Sequence, residues 1–245
     1  MDKGILYIVA TPIGNLGDIT LRALEVLKSV DFVACEDTRV TGNLLKHFEI
    51  KKEMISYFQH SKLSKIEYII ELLLSGKNIA LVTDAGTPGI SDPGQELIHR
   101  IRNYELGMRQ ITNNQETTSG QYSDSNIQII PIPGASALTA AASVSGMIEK
   151  EFYFAGFLPK KKGRQTKFKA LSTLGCPIVI YESANRLERT LNDTMTYFGT
   201  NVDVFIAREI TKMFEEYWGG KIEEIISTLK NHQMKGEIVF IIKKK

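Results

Sequence analysis

Charged side chains that directly follow short apolar runs are where this chain shows the means to do chemistry, because strand ends deliver side chains to a common edge. Ile79 to Thr83 is such a run, and it opens into Asp84-Ala-Gly-Thr-Pro-Gly-Ile-Ser-Asp-Pro-Gly94. A helix follows, with Asp92 placed to cap it, Pro93 suited to its first position and Leu97, Ile98 and Ile101 as its apolar stripe. A strand, a loop of small residues and a helix form a ligand-binding edge in α/β proteins, since ligands sit beyond the carboxyl ends of strands. Glycine lets a ligand approach the backbone closely. The loop matches neither the dinucleotide nor the phosphate-loop pattern, and no Lys follows its glycines. Asp84 repels a polyphosphate and suits a ligand with amine or hydroxyl groups. An ordinary turn before a capped helix is the competing reading, and the density of Pro and Gly favours a site.

Other charges sit at comparable places. Phe32 to Cys35 reads as a strand that delivers Glu36-Asp-Thr-Arg39, either as functional groups or as a solvated helix start with acids near its N-terminus. Glu182, Arg186, Glu209 and Lys212 also lie near expected strand ends. His60 has the pKa range for acid–base work, although a lone loop histidine is more often polar surface. Pro133-Gly-Ala-Ser-Ala137 follows another strand, with Ser136 as the expected cap of a small-residue helix. Such a start admits a flat ring or a closely packed neighbour equally well. Phe157-Leu-Pro-Lys-Lys-Lys-Gly-Arg164, with Lys167 and Lys169 behind it, concentrates positive charge. Lys160, Lys161, Lys162, Arg164, Lys167 and Lys169 suit a phosphate backbone, with Phe157 available to stack on a base. A plain solvated face is the alternative.

The elements that must position these residues read as alternating strands and helices. In the first half, strands cover Ile5 to Ala10, Phe32 to Cys35, Met54 to Phe58, Ile79 to Thr83 and Ile127 to Ile132. Helices cover Thr20 to Ser29 (Leu21, Leu24, Leu27 and Val30 inward), Thr41 to His47, and Lys65 to Leu74 closed by Gly76, with one more ending near Asn103. Arg109 to Asn126 is polar and reads as a mobile surface loop. Past a boundary near Pro133, strands are expected at Phe152–Ala155, Ile178–Tyr181, Val204–Ala207 and Ile238–Ile242, with a further one at Tyr217–Gly220. Helices are expected at Thr166–Leu174, Leu187–Phe198 and Ile222–Lys230. No internal repeat links the halves. The expected fold is therefore α/β in two domains, 1–133 and 134–245.

Composition narrows the class. At 245 residues, 43% hydrophobic and 24% charged, the chain is an ordinary globular one. A net charge of +2 gives no global field for nucleic acid, so any basic footprint is local. Cys35 and Cys176, and His47, His60, His99 and His232, lie apart and match no metal-ligand spacing. No apolar run approaches a membrane span, and the expectation is a metal-free cytoplasmic protein.

Seven segments in one order resemble the ribosomal RNA small subunit methyltransferase I family of the tetrapyrrole methylase superfamily. They are Thr11-Pro-Ile-Gly-Asn15, Glu36-Asp-Thr-Arg39, Asp84 to Gly94, Pro133 to Ala137, Gly156-Phe-Leu-Pro159, Tyr181-Glu-Ser183 with Arg186-Leu187, and Arg208 to Lys212 with Phe214-Glu-Glu216. The resemblance implies two α/β domains with an S-adenosylmethionine cleft between them. It implies methylation of a cytidine ribose 2′-hydroxyl in the decoding region of 16S ribosomal RNA, by a homodimer without metal. It also implies cofactor contacts from Asp84, Ala85, Gly86, Thr87, Pro88, Ile90, Ser91, Ser136 and Ala137, with Pro12, Tyr181 and Gly236 at neighbouring edges. Glu36, Arg39, Glu182, Arg186, Glu209 and Lys212 are the candidates for shaping the reacting site, and water is an alternative base. Relatives usually carry Pro-His where this chain has Ala184-Asn185, and His-Asn where it has His60-Ser61. The polar segment 109–126 looks like an insertion. Methyl transfer to a tetrapyrrole or a protein, or non-catalytic ribosome binding, are the alternatives.

Overall fold

Apolar runs become most of the strands of two separate sheets. The computed structural model describes residues 3–59, 61–113, 127–232 and 235–244. The chain divides into two compact units, Met1–Pro12 with Leu16–Ala135, and Ile13–Asn15 with Ser136–Lys245.

In the first unit β1 (Ile5–Val9), β2 (Phe32–Cys35), β3 (Glu53–Ser56), β4 (Ile79–Val82) and β5 (Gln128–Ile132) form a sheet of order β3-β2-β4-β1-β5. Every pairing in it is parallel. β4 is buried at all its positions, because helices on both faces of a parallel sheet demand an unbroken apolar strand rather than an alternating one. Its neighbours Leu81 and Val82 enter two different core clusters, as strand alternation requires. The helices are α1 (Leu21–Ser29), α2 (Thr38–His47), α3 (Leu63–Leu74) and α4 (Gln95–Asn113). Gly76 closes α3 at φ 88°, its amide bonding to Leu73 O at 3.1 Å while Lys77 bonds to Leu72 O at 3.0 Å.

Three expectations here need correction. Leu21 is 81% exposed at the first position of α1, and Ala23 takes the buried place beside Leu27 and Val30. Pro93 lies in the turn before α4, which is entered from Gly94, whose carbonyl accepts the Ile98 amide at 3.0 Å. The same helix continues to Asn113 rather than ending near Asn103. Glu105, Leu106, Met108, Arg109 and Gln110 favour a helix, which continues across Gly107 between them. The rest of the expected polar loop, residues 114–126, lies outside the described residues, as does His60.

In the second unit β6 (Tyr153–Phe157), β7 (Ile178–Ser183), β8 (Val202–Arg208), β9 (Glu216–Lys221) and β10 (Glu237–Lys244) take the order β6-β7-β10-β8-β9. β6 and β7 pair in parallel, and the other pairings are antiparallel. α5 (Ala137–Ser145) covers one face, where Ala141 joins Val179, Phe205, Val239 and Ile241. α6 (Arg164–Ser172), α7 (Ala184–Phe198) and α8 (Ile222–Thr228) cover the other through Phe168, Leu187, Leu191 and Ile225. No helix among the described residues is long and apolar enough to cross a membrane.

Candidate functional site

The carboxyl edge of the first sheet is tied together by backbone. Thr11 and Gly86 exchange both main-chain hydrogen bonds, at 2.9 and 3.0 Å, so the ends of β1 and β4 are cross-linked just beyond the sheet. Thr11 Oγ1 donates to Thr83 O at 3.0 Å, and the following Pro12 is buried. From there the loop turns sharply, with Gly86 and Gly89 at φ 82°, Ser91 at 65° and Gly94 at 141°. Ser91 adopts a left-handed conformation that costs a non-glycine residue about 1 kcal/mol. A Cβ on Gly94 would lie 3.1 Å from Leu81 Cδ2 and 3.3 Å from the Gly89 nitrogen, a tight fit at a φ that side chains rarely adopt. At Gly89 a Cβ would meet nothing within 4 Å, which leaves that backbone face open. Asp84, Ala85, Ile90 and Ser91 are exposed, Thr87 is half-buried, and Gly86 and Pro88 are buried. Thr87 Oγ1 donates to Ala135 O at 3.3 Å, joining the loop to the segment that follows β5. Beneath the loop the Thr83 hydroxyl is buried without a hydrogen-bond partner.

Three carboxylates gather at the same edge. Asp84 Oδ1 accepts the Asp37 amide at 3.1 Å. Asp37 caps α2, accepting from the Arg39 amide at 2.8 Å and pairing with Arg39 Nη2 at 2.6 Å. The Arg39 side-chain and backbone bonds draw its carboxyl down to about 2. Arg39 itself is 88% exposed and held by that neighbour. Glu36 is half-buried, and burial first, then the charge of Asp84, pushes its carboxyl above the usual range.

In the second unit Ser136 stands at the N-cap of α5 but makes no side-chain capping bond, contrary to expectation. The hydroxyl of Tyr181 accepts the Leu138 amide instead, at 3.2 Å. Phe154 and Phe157 pack edge-on against the Tyr181 ring, with centroids at 4.9 and 5.5 Å, and Ala137 joins the same cluster.

The remaining candidates divide sharply. Glu182 has a fully buried side chain. It forms an ion pair with Arg186, whose Nε lies 2.6 Å away, and accepts hydrogen bonds from Arg186 Nη2 at 3.0 Å, Thr190 Oγ1 at 2.7 Å and its neighbour's amide at 2.9 Å. A carboxylate so occupied cannot take a substrate proton, and Arg186 is committed to it, so both leave the reacting groups. Arg164 is also corrected: at 2% exposed it binds Asp193 at 2.6 Å and Thr190 at 2.8 Å, and it cannot reach a solvent-borne phosphate. Lys167 is turned onto the Tyr153 ring, 3.2 Å from its hydroxyl and 5.1 Å from the centroid. Lys160, Lys161, Lys162 and Lys169 stay exposed. Lys212 bridges Glu209 at 2.9 Å and Glu237 at 2.8 Å. Burial alone would raise the Glu209 carboxyl, but the Glu237 amide and Lys212 outweigh it and hold it below its ordinary range. Gly236 makes this possible, since a Cβ there would sit 2.5 Å from the Glu209 carboxyl carbon.

Sequence reasoning missed Thr11, Thr83, Thr190 and Asp193. Thr11 and Thr83 were legible as polar residues closing apolar strands, whereas Thr190 and Asp193 carry no local signal. Among the described residues no cluster of His, Cys, Asp or Glu is placed to hold a metal ion.

This arrangement has close counterparts. The model of the tetrapyrrole (corrin/porphyrin) methylases matches residues 5–112 and 119–226. A ribosomal RNA small subunit methyltransferase I from Mycoplasmopsis pulmonis is 44% identical over 241 residues, 97% of this chain and 98% of that protein. The protein of the same name from Synechocystis is 43% identical, over 98% of this chain and 78% of that one. The structure of a uroporphyrin-III C-methyltransferase from Thermus thermophilus complexed with S-adenosylhomocysteine superposes with a TM-score of 0.57 at 14% identity, covering 98% of this chain and 97% of that one. A family model matched over most of the chain, with relatives more than 40% identical along nearly all of it, makes this a member of the tetrapyrrole methylase family, in the ribosomal RNA small subunit methyltransferase I group.

Proposed function

We propose that this chain transfers the methyl group of S-adenosylmethionine to the ribose 2′-hydroxyl of a cytidine in the decoding region of 16S ribosomal RNA. The substrate class follows the name of relatives more than 40% identical over nearly the whole chain. The observation that carries the reading is the Asp84–Gly94 loop. Its left-handed turns bring backbone to the strand edge, Gly89 leaves a face open, Ile90 offers an exposed apolar surface and the Thr83 hydroxyl lacks a partner. These features fit a zwitterionic ligand with a flat ring better than a polyphosphate. Thr87, Pro88, Ile90 and Ser91 are the residues we assign to it. When bound, S-adenosylmethionine supplies a methyl group already activated on a sulfonium.

The protein then has to align the ribose oxygen and relieve it of a proton. Alignment converts a bimolecular step into an effectively unimolecular one. A 2′-hydroxyl is a poor acid, and a carboxylate whose affinity for protons has been raised is a better base. Glu36 meets that requirement, because burial and the negative charge of Asp84 outweigh the hydrogen bond from the Asp84 amide and hold its carboxyl above the ordinary range. We assign it the role of proton acceptor, with Asp84 setting its basicity. Lys160, Lys161, Lys162 and Lys169 supply phosphate contacts, and the chain works as a cytoplasmic homodimer, which sedimentation tests directly.

Calorimetry with S-adenosylmethionine and methyl transfer to purified small subunits test the reading, with uroporphyrinogen as a control acceptor. We expect cofactor binding and transfer to the ribosomal subunit alone. Transfer to the tetrapyrrole, or absence of cofactor binding, contradicts it.

A further inference from the structure

Consecutive carbonyls on the basic loop are each held by an arginine. Arg186 Nη2 donates to Leu158 O at 3.0 Å, Arg164 Nη1 to Pro159 O at 3.4 Å and Arg189 Nη1 to Lys160 O at 3.0 Å. The arginines are anchored in turn by carboxylates. Glu182 grips Arg186 at 2.6 Å, and Asp193 grips Arg164 at 2.6 Å, with Arg189 Nε 3.9 Å from the same oxygen. Thr190 bonds both Glu182 and Arg164, closing the network. On its outer side the same short stretch presents Lys160, Lys161 and Lys162 to solvent, with Phe157 60% exposed beside them.

A buried ion network gains little over apolar packing of the same volume, and its best-attested use is to specify one arrangement. Here the arrangement it specifies is the backbone of an exposed loop. Arginine suits the task, since one rigid planar fork can bond a carboxylate and a carbonyl together in a fixed geometry, whereas an ammonium on a flexible stem fixes it less well.

We infer that the Glu182–Arg186–Arg164–Asp193 network is the positioning device of an RNA docking surface formed by Lys160, Lys161, Lys162 and Phe157. It fixes the loop before the RNA strand arrives, so the lysines meet phosphates and Phe157 meets a base without the cost of ordering the chain on binding. This rests on the reading of ribosomal RNA as substrate. Arg186, Arg164 and Glu182 touch no RNA in this account and act through the loop.

The test separates position from contact. A small-subunit RNA fragment is titrated against the full chain over a range of salt, with Arg186→Lys and with Lys160, Lys161 and Lys162 all changed to Ala. The triple variant should lose affinity and lower the salt slope by about 2, because each single-stranded phosphate contact contributes about 0.7. Arg186→Lys should weaken binding about fivefold with the slope unchanged, because the same phosphates are neutralised by a looser loop. It should also raise KM for small subunits while leaving kcat near wild type, and speed hydrogen exchange at the Arg164 amide, which bonds to Lys161 O at 3.2 Å. If Arg186→Lys does not fold, Arg189→Ala, at a side chain 58% exposed, carries the same test through the Lys160 carbonyl alone. Wild-type affinity in the Arg186 or Arg189 variant, or an unchanged slope in the triple variant, overturns the inference. Methyl transfer by the unmodified chain stands or falls independently of these titrations.

Discussion

Asp84 Oδ1 accepts the main-chain amide of Asp37 at 3.1 Å, joining the end of β4 to the end of β2 across the carboxyl edge of the first sheet. The same carboxylate is the second cause, after burial, of the raised pKa of Glu36. One side chain therefore both fixes the edge and adjusts the residue assigned as base. Asp84→Asn keeps an oxygen for the Asp37 amide and removes the charge. The acid limb of the pH–rate profile should move to lower pH, with thermal stability near that of the unmodified chain. A limb that stays in place would show that Glu36 does not govern the rate.

Glu36→Gln should separate stability from activity. A carboxyl with a raised folded-state pKa binds its proton more tightly in the folded chain than in the unfolded one. It therefore weakens the fold as pH rises from the ordinary Glu value of about 4.3 through the raised value, and the penalty is complete above it. The variant lacks that penalty, so its Tm should exceed wild type at pH 7 and the two should converge below pH 4. Methyl transfer should fall about 10²-fold, the usual loss on removing a general base. Thermal melts across pH and single-turnover transfer check the two halves separately.

The start of α5 gives a sharper contrast. Ser136 occupies the N-cap without a side-chain bond, and Tyr181 accepts the Leu138 amide from another strand. Ser136→Ala should change stability by less than about 0.5 kcal/mol, as a surface substitution does. Tyr181→Phe should cost about 1 kcal/mol, the usual net value of a hydrogen bond. Denaturant melts of both variants decide it, and a reversed order would assign the cap to Ser136.

The sequence showed most of the strands because their burial is continuous. Ile79 to Val82 is apolar at every position and buried at every position. Gly76 was legible as a helix stop because only the left-handed turn it adopts explains a glycine there. The loop from Asp84 to Gly94 was legible as a site from its small residues, and its family resemblance gave it a ligand. Arg164 was not legible. Its basic neighbours suggest a solvated patch, whereas its partners Glu182, Thr190 and Asp193 come from β7 and α7, which only the folded chain brings to it. Strand direction in the second sheet was equally hidden, since an apolar run is the same in parallel and antiparallel pairing. The extension of α4 to Asn113 was missed because the helix runs beyond the apolar stripe that marked it.

The most direct measurement maps 2′-O-methyl groups on 16S ribosomal RNA from cells with and without this chain, and repeats the map after adding purified protein and S-adenosylmethionine to the unmethylated subunits. The account predicts that one cytidine mark in the decoding region disappears with the chain and returns with the protein, and that Glu36→Gln restores it far more slowly. An identical methylation map in both cells, or a lost mark that purified protein and cofactor do not restore, would contradict it.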